Sequence, residues 1–244
     1  MNSAVHTVRS QLRSSTRNPE FVDVIFAALA RKHASIDQLI RLITFALPTL
    51  FLAAVVFQPW VEAKWMFLDP LTAAELSGDC CHSHYGFVST AGIILWAATA
   101  AICLFTASLL YMAGKPLVAV SFPLLAGMLT GWIGLDDAYL LHETVLPAFG
   151  IPQNIVIASY VLLGSLYFIA NWRIILQHDF WLLAMGASAL ALSIIVDTVF
   201  HSLNPYLVLL EDSAKFFGIF CWTSFHVTTF AKLLKASLQP TGRN

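Results

Sequence analysis

Six long apolar stretches divide this chain, and the charges between them are sorted by side. One set of connecting segments holds Arg9, Arg13, Arg17, Arg31, Lys32, Arg41, Lys115, Arg173, Lys232, Lys235 and Arg243, eleven of the thirteen Lys and Arg. The alternate set, with the apolar ends beside it, holds only Lys64 and Lys215 among the bases. It carries Glu62, Asp69, Glu75, Asp79, Asp136, Asp137, Glu143, Asp197, Glu211 and Asp212, ten of the fourteen acids. Such alternation is the imprint of the positive-inside rule on a multi-pass membrane protein. Hydrophobic residues make up 58% and charged residues 11% of the sequence, against roughly 45–50% and 25% in a soluble domain. The expected fold is all-α: a polytopic membrane bundle of about six helices with both termini cytoplasmic.

The spans are read as 37–58, 86–113, 117–141, 153–172, 180–202 and 212–234. Each reaches the ~20 residues that a crossing requires. Residues 1–35 form a basic cytoplasmic arm and 236–244 a cytoplasmic tail, leaving a transmembrane domain over 36–235 with an outward loop at 59–85. Asn18-Pro19-Glu20 resembles an N-cap, a first-turn proline and an early acid, opening a short surface helix over 21–30. Ser35 and Gln38 have the spacing of a capping box for the first span. Trp60 and Trp65 on one side and Trp172 and Trp181 on the other suit interfacial belts. No cleavable signal peptide or nucleic-acid module is apparent. The expected surroundings are the lipid bilayer of a bacterial inner membrane, with other membrane subunits as candidate partners.

Acids inside apolar helices are costly, at least about 2.5–3.5 kcal/mol each on insertion scales, so they normally face the bundle interior and pair. The third span ends with Asp136, Asp137, His142 and Glu143, the fifth with Asp197 and His201, and the sixth begins with Glu211, Asp212 and Lys215. Asp197 and His201 are four apart, as are Glu211 and Lys215, so each pair shares a helix face. The second pair reads as an ion pair at a helix start. Asp136, Glu143 and Asp197 are the candidate catalytic groups. His142, Asp197, His201, Glu211 and Asp212 are the candidate ligands of zinc, iron, manganese or copper, which take such carboxylate and imidazole donors. A break before the loop would bring His142 inward. Cys80, Cys81, His82 and His84 form a secondary metal candidate, although they lack the paired CxxC spacing of a structural zinc site. His226, a lone intramembrane histidine, reads as hydrogen-bonded to a neighbouring helix, and Cys103 and Cys221 as packing residues.

Residues 85–105 (from Tyr85-Gly86-Phe87), Leu135-Asp136-Asp137 to His142-Glu143, and Glu211-Asp212 to Gly218-Ile219 resemble a bacterial family of multi-span membrane proteins without assigned function. That resemblance implies a helical membrane fold. Ser89 and Asp136-Asp137 also echo the CREST superfamily of membrane hydrolases, which pairs a serine and an aspartate with zinc-bound histidines. The HxxxH of that superfamily is missing, because Trp222 and Phe230 flank His226 at the spacing of four. The sequence therefore supports three readings: a metal-dependent membrane enzyme acting on a lipid-like or small substrate, an accessory subunit of a larger complex, and a proton- or cation-coupled transporter.

Overall fold

The computed structural model describes the backbone of residues 19–80, 82–200 and 204–238, and the side chains of 38–80, 82–200 and 204–237. All regular elements among them are helical. In chain order these are α1 (Pro19–Phe57), α2 (Ala63–Phe67), α3 (Pro70–Ser77), α4 (Phe87–Met112), α5 (Leu117–Tyr139), a π turn (Leu141–Val145), α6 (Leu146–Ala148), α7 (Gln153–Leu176), α8 (Phe180–Ile195), a second π turn (Val196–Phe200) and α9 (Pro205–Leu238). Five stretches are long and apolar enough to cross a membrane: Gln38–Phe57, Phe87–Met112, Leu117–Tyr139, Gln153–Leu176 and Phe180–Phe200. The chain is thus an all-helical membrane protein.

Two compact units are present, Met1–Ala46 and Leu47–Asn244. In the first, α1 is unbroken through the segment expected to separate a surface helix from a span. Residues 31–38 contain neither Gly nor Pro, so nothing in their chemistry interrupts the backbone ladder. Ser35 is accordingly inside a helix and opens none, which corrects the capping-box expectation. The expected cap at Asn18 lies outside the described residues.

The second unit is built around α9. This helix packs against α8, α4 and α2, while α4 packs along α5 and α7 lies against α5. Small residues let the α8 and α9 backbones approach. A Cβ on Gly186 would stand 3.1 Å from the Gly218 carbonyl oxygen, and one on Gly218 would stand 3.0 Å from that of Gly186. Close approach of this kind is how membrane helices gain contact without a hydrophobic driving force between them.

At 34 residues α9 exceeds every crossing in length, yet it is absent from the five apolar stretches. Its polar groups are used inside the bundle. Thr223 shares a 2.7 Å hydroxyl bond with Thr99 of α4. Trp222 Nε1 donates to Thr130 Oγ1 of α5 at 3.0 Å. Tyr167 of α7 and His226 are bonded at 2.9 Å. Through Trp222, Thr223 and His226, α9 thus reaches three other helices by hydrogen bonds.

The segment between α1 and α4 is folded. Asp69 caps α3, its Oδ1 accepting from the backbone N–H groups of Leu71 and Thr72 at 3.0 Å each. Gly86 lies in the left-handed region (φ 66°) with its α-carbon against Pro70; a Cβ there would be 2.5 Å from the Pro70 ring. Its N–H donates to the Trp65 carbonyl at 3.1 Å. Phe67, Ala73, Val88, Val208 and Phe216 share one buried cluster beneath this segment, which fixes α2 and α3 over the starts of α4 and α9.

Candidate functional site

A cavity of about 370 Å³ opens at that end of the second unit. It is lined from α3 and its approach by Asp69 and Thr72, from the start of α4 by Ser89, and from the end of α5 by Asp137 and Leu140. The two π turns contribute Glu143 and Asp197, and the first turns of α9 contribute Glu211, Asp212 and Lys215. Six carboxylates therefore share a wall with one lysine. The volume falls in the range of small-molecule sites, roughly 300–1,000 Å³.

The way the helices end creates this arrangement. Leu140 closes α5 with φ 50° and ψ 44°, the one non-glycine residue with positive φ among those described. The chain then enters the first π turn, which carries Glu143 to the cavity. The second π turn does the same for Asp197 at the end of α8. π turns are rare and concentrate at functional sites. Here each presents an acid to the same cavity.

The break at Leu140 also brings His142 back onto α5. Asp136 Oδ1 accepts the His142 backbone N–H at 2.8 Å, and Oδ2 meets the ring Nδ1 at 2.6 Å. The other ring nitrogen, Nε2, stands 3.4 Å from Glu143 Oε1. Asp136 is almost wholly buried. Burial pulls the His142 pKa down, but the Asp136 bond and the charges of Asp136 and Glu143 outweigh it and leave the pKa raised. Desolvation lifts the Glu143 carboxyl above its ordinary value, against the pull of His142 and Lys215. Although 42% of the Glu143 side chain is accessible, its carboxyl belongs to this crowded wall. Glu211 is pushed up to about 7 by burial and by Asp197, with Lys215 opposing.

Lys215 does not pair with Glu211, its neighbour one turn earlier. Its Nζ forms an ion pair with Asp137 Oδ1 across to α5. The deeper acid claims the cation, because an ionised carboxylate only 6% exposed has little water to fall back on. Its second oxygen, Oδ2, is buried without a hydrogen-bond partner. Asp197 accepts from Gln153 Nε2 of α7 at 3.3 Å. Its expected partner His201 lies outside the described residues.

Of the candidates from sequence, Glu143, Asp197, Glu211 and Asp212 meet at the cavity. Asp136 and His142 stand behind Glu143. Asp69, Thr72, Ser89 and Lys215 complete the wall, and Asp137 rather than Asp136 lines it. Asp69-Pro70 carried a legible signal, a cap followed by a first-turn proline, but nothing in the sequence places that cap over α9. Among the described residues no three His, Cys, Asp or Glu side chains are grouped to hold a metal ion.

The remaining candidates lie elsewhere. His82 Nε2 meets Asp79 Oδ2 at 2.9 Å and its ring stacks on His84. Cys80 is disulfide-bonded and so offers no thiolate to a metal in this state; Cys81 lies outside the described residues. Cys103 and Cys221 are free and buried. His226 is fully buried, with Nδ1 2.8 Å from the Trp222 carbonyl and Nε2 on the Tyr167 hydroxyl. Nδ1–H donating to the carbonyl and Nε2 accepting from Tyr167 satisfies both nitrogens with one proton.

Fold and site together define a helical membrane protein with an acid-lined cavity at one end of its bundle. By sequence the chain belongs to the family of the domain of unknown function DUF8692, whose model matches residues 41–229. None of the curated proteins and none of the solved structures matches the chain.

Proposed function

We propose that this protein is a six-span enzyme of a bacterial inner membrane, with both termini cytoplasmic and the acid-lined cavity facing outward. The sixth crossing is the 212–234 part of α9, and the orientation follows from the charge sorting between spans. The observation that carries the enzyme reading is the chain Asp136–His142–Glu143, which ends on the cavity wall. A carboxylate that holds Nδ1 fixes the imidazole tautomer and leaves Nε2 to exchange a proton. Glu143 would pass that proton to or from a substrate. Leu68, Leu140 and Val208 give the same cavity an apolar side, which suits a lipid-like or small amphipathic substrate.

A divalent zinc, iron, manganese or copper ion remains the candidate cofactor. Glu143, Asp197, Glu211 and Asp212 are the carboxylates nearest to such a role; as they stand no three described groups converge on one point, so holding an ion would require them to draw together. The ion would supply Lewis-acid chemistry or a bound hydroxide. Elemental analysis of the micelle-purified protein, beside an Asp197→Ala/Asp212→Ala variant, is the check. Near-stoichiometric metal in wild type that disappears in the variant supports this cofactor, and metal-free folded wild type removes it.

An accessory-subunit reading has one observation in its favour. Ile155, Leu162, Leu166 and Ile169 form an exposed apolar face along α7, wide enough for a partner helix as well as for lipid. A transporter reading requires a polar route through the other half of the bundle, where the polar groups of α9 bond to neighbouring helices.

The deciding experiment incubates purified wild type, His142→Ala and Asp136→Asn with lipid and metabolite extracts, followed by mass spectrometry. Consumption of a species by wild type alone is the expected result. No turnover by wild type of any component would sink the enzyme reading and leave the accessory role in front.

A further inference from the structure

We propose that the cavity binds a small organic cation, a primary amine or guanidinium, with its charged head among Glu143, Glu211 and Asp212. This rests on the reading of the cavity as the functional site and names the class of ligand that it takes.

Charge balance is the first argument. Lys215 is ion-paired with Asp137 and its charge also acts on Asp212, Asp69 caps α3 and Asp197 accepts from Gln153. Glu211 and Asp212 accept no hydrogen bond among the described residues, and Glu143 meets only His142 at 3.4 Å. The wall therefore sets six carboxylates against one lysine and the hydroxyls of Thr72 and Ser89, an excess of acceptors over donors. An anionic or purely apolar ligand would deepen that deficit, whereas an ammonium or guanidinium group supplies three to five N–H donors.

The second argument is Asp137. Its side chain is 94% buried (6% exposed), it lines the cavity, and Oδ2 has no donor. A buried acceptor left without a donor is unfavourable. Behind the cavity lies an annex of about 10 Å³, lined by Ser89, Asp137, Asp212 and Lys215. That is room for about one water, and Asp137 lines the annex and the cavity alike.

Geometry separates this ligand from a metal. A transition metal needs its donors converging to within about 2.0–2.3 Å of one point, and no trio of described residues is grouped that way. Spaced carboxylates instead match a head whose N–H groups point apart.

The test is thermal unfolding of the full chain in dodecyl maltoside at near-physiological salt, titrated with butylamine, agmatine, choline, butyrate, Mn²⁺ or Zn²⁺. Butylamine and agmatine are expected to raise Tm saturably, choline, which has no N–H, at least tenfold more weakly, and butyrate not at all. Glu211→Gln and Asp212→Asn should each weaken the amine response at least tenfold, while Glu75→Gln, on an exposed acid outside the cavity, should leave it unchanged. If Asp212→Asn does not fold, Glu143→Gln takes its place. No saturable amine response, or an equal response in the cavity variants, overturns the inference. A response to Mn²⁺ or Zn²⁺ alone that the cavity variants abolish also overturns it, but upholds the cavity as the site. Turnover in the extract experiment without any amine response likewise rejects the ligand class and keeps the enzyme reading.

Discussion

Lys215 answers to Asp137 on another helix, and the consequences of removing either partner differ. Taking away the lysine leaves the Asp137 carboxyl almost fully buried with neither oxygen paired. Breaking one side of a buried ion pair typically costs about 3–5 kcal/mol. Lys215→Met should therefore lower unfolding stability in micelles by about that amount. The double variant Lys215→Met/Asp137→Asn should recover most of the loss, since it removes the stranded charge. Equal destabilisation in the single and double variants would show that the lysine acts by packing alone. A neutral counterpart lies deeper in the bundle, where Tyr167→Phe takes the hydroxyl from His226 Nε2. An acceptor buried without its donor predicts a loss of about 1–3 kcal/mol, read by the same unfolding measurement. The partners in both cases come from helices far apart in sequence. For that reason the i,i+4 rule pointed to Glu211 for Lys215, and only the assembled bundle reveals Asp137.

At the scale of elements, Leu140 holds the site together by a conformation that its side chain disfavours. A left-handed residue other than glycine costs roughly 1–2 kcal/mol, and this one turns the chain so that His142 and Glu143 face α5 and the cavity. Leu140→Gly removes the steric cost but also an apolar wall residue and some restriction of the unfolded chain. The two effects oppose, so its stability should stay within about 1 kcal/mol of wild type. Leu140→Val keeps the wall apolar and adds β-branching at positive φ, so it should destabilise by more than 1–2 kcal/mol. Thermal melts of the pair distinguish a strained cap from an ordinary loop residue. The lengths of the apolar runs foretold the helices well: the expected 86–113 and 117–141 agree with Phe87–Met112 and Leu117–Tyr139 to within two residues. Neither π turn was legible. No glycine or proline marks Val196–Phe200 or Leu140, and the contact that accompanies the first turn, Asp136 with His142, spans six residues, a spacing that no regular helix brings together. The α9 helix misleads in the opposite direction. Its polar residues lower its apolar character although they point into the bundle, so its membrane role has to be argued from what they touch.

For the whole molecule, the convergence of three acid-bearing helix ends predicts how stability responds to pH. Glu211 faces Asp197 and Glu143 as like charges and Lys215 and His142 as opposing ones, and its folded pKa rises to about 7. A carboxyl raised on folding contributes stability that is complete below its ordinary value, near 4.3. That contribution is lost as pH climbs through the folded value. Glu143, also raised, acts in the same direction. His142 does so as well: its raised imidazolium stabilises the fold below its ordinary pKa, and the benefit fades as the ring deprotonates at higher pH. All three slopes have one sign, so Tm in micelles should fall between about pH 5 and pH 8. Glu211→Gln should flatten the portion up to about pH 7, preserving on the order of 1–3 kcal/mol at the alkaline end. A wild-type Tm that holds level or rises over this interval would mean that the acids are already neutralised by a resident cation. A fall that Glu211→Gln leaves untouched would instead place the titration on other groups. The expected result, a falling Tm restored by an added amine at pH 8, would tie the electrostatic stress of the acid wall to the ligand that relieves it.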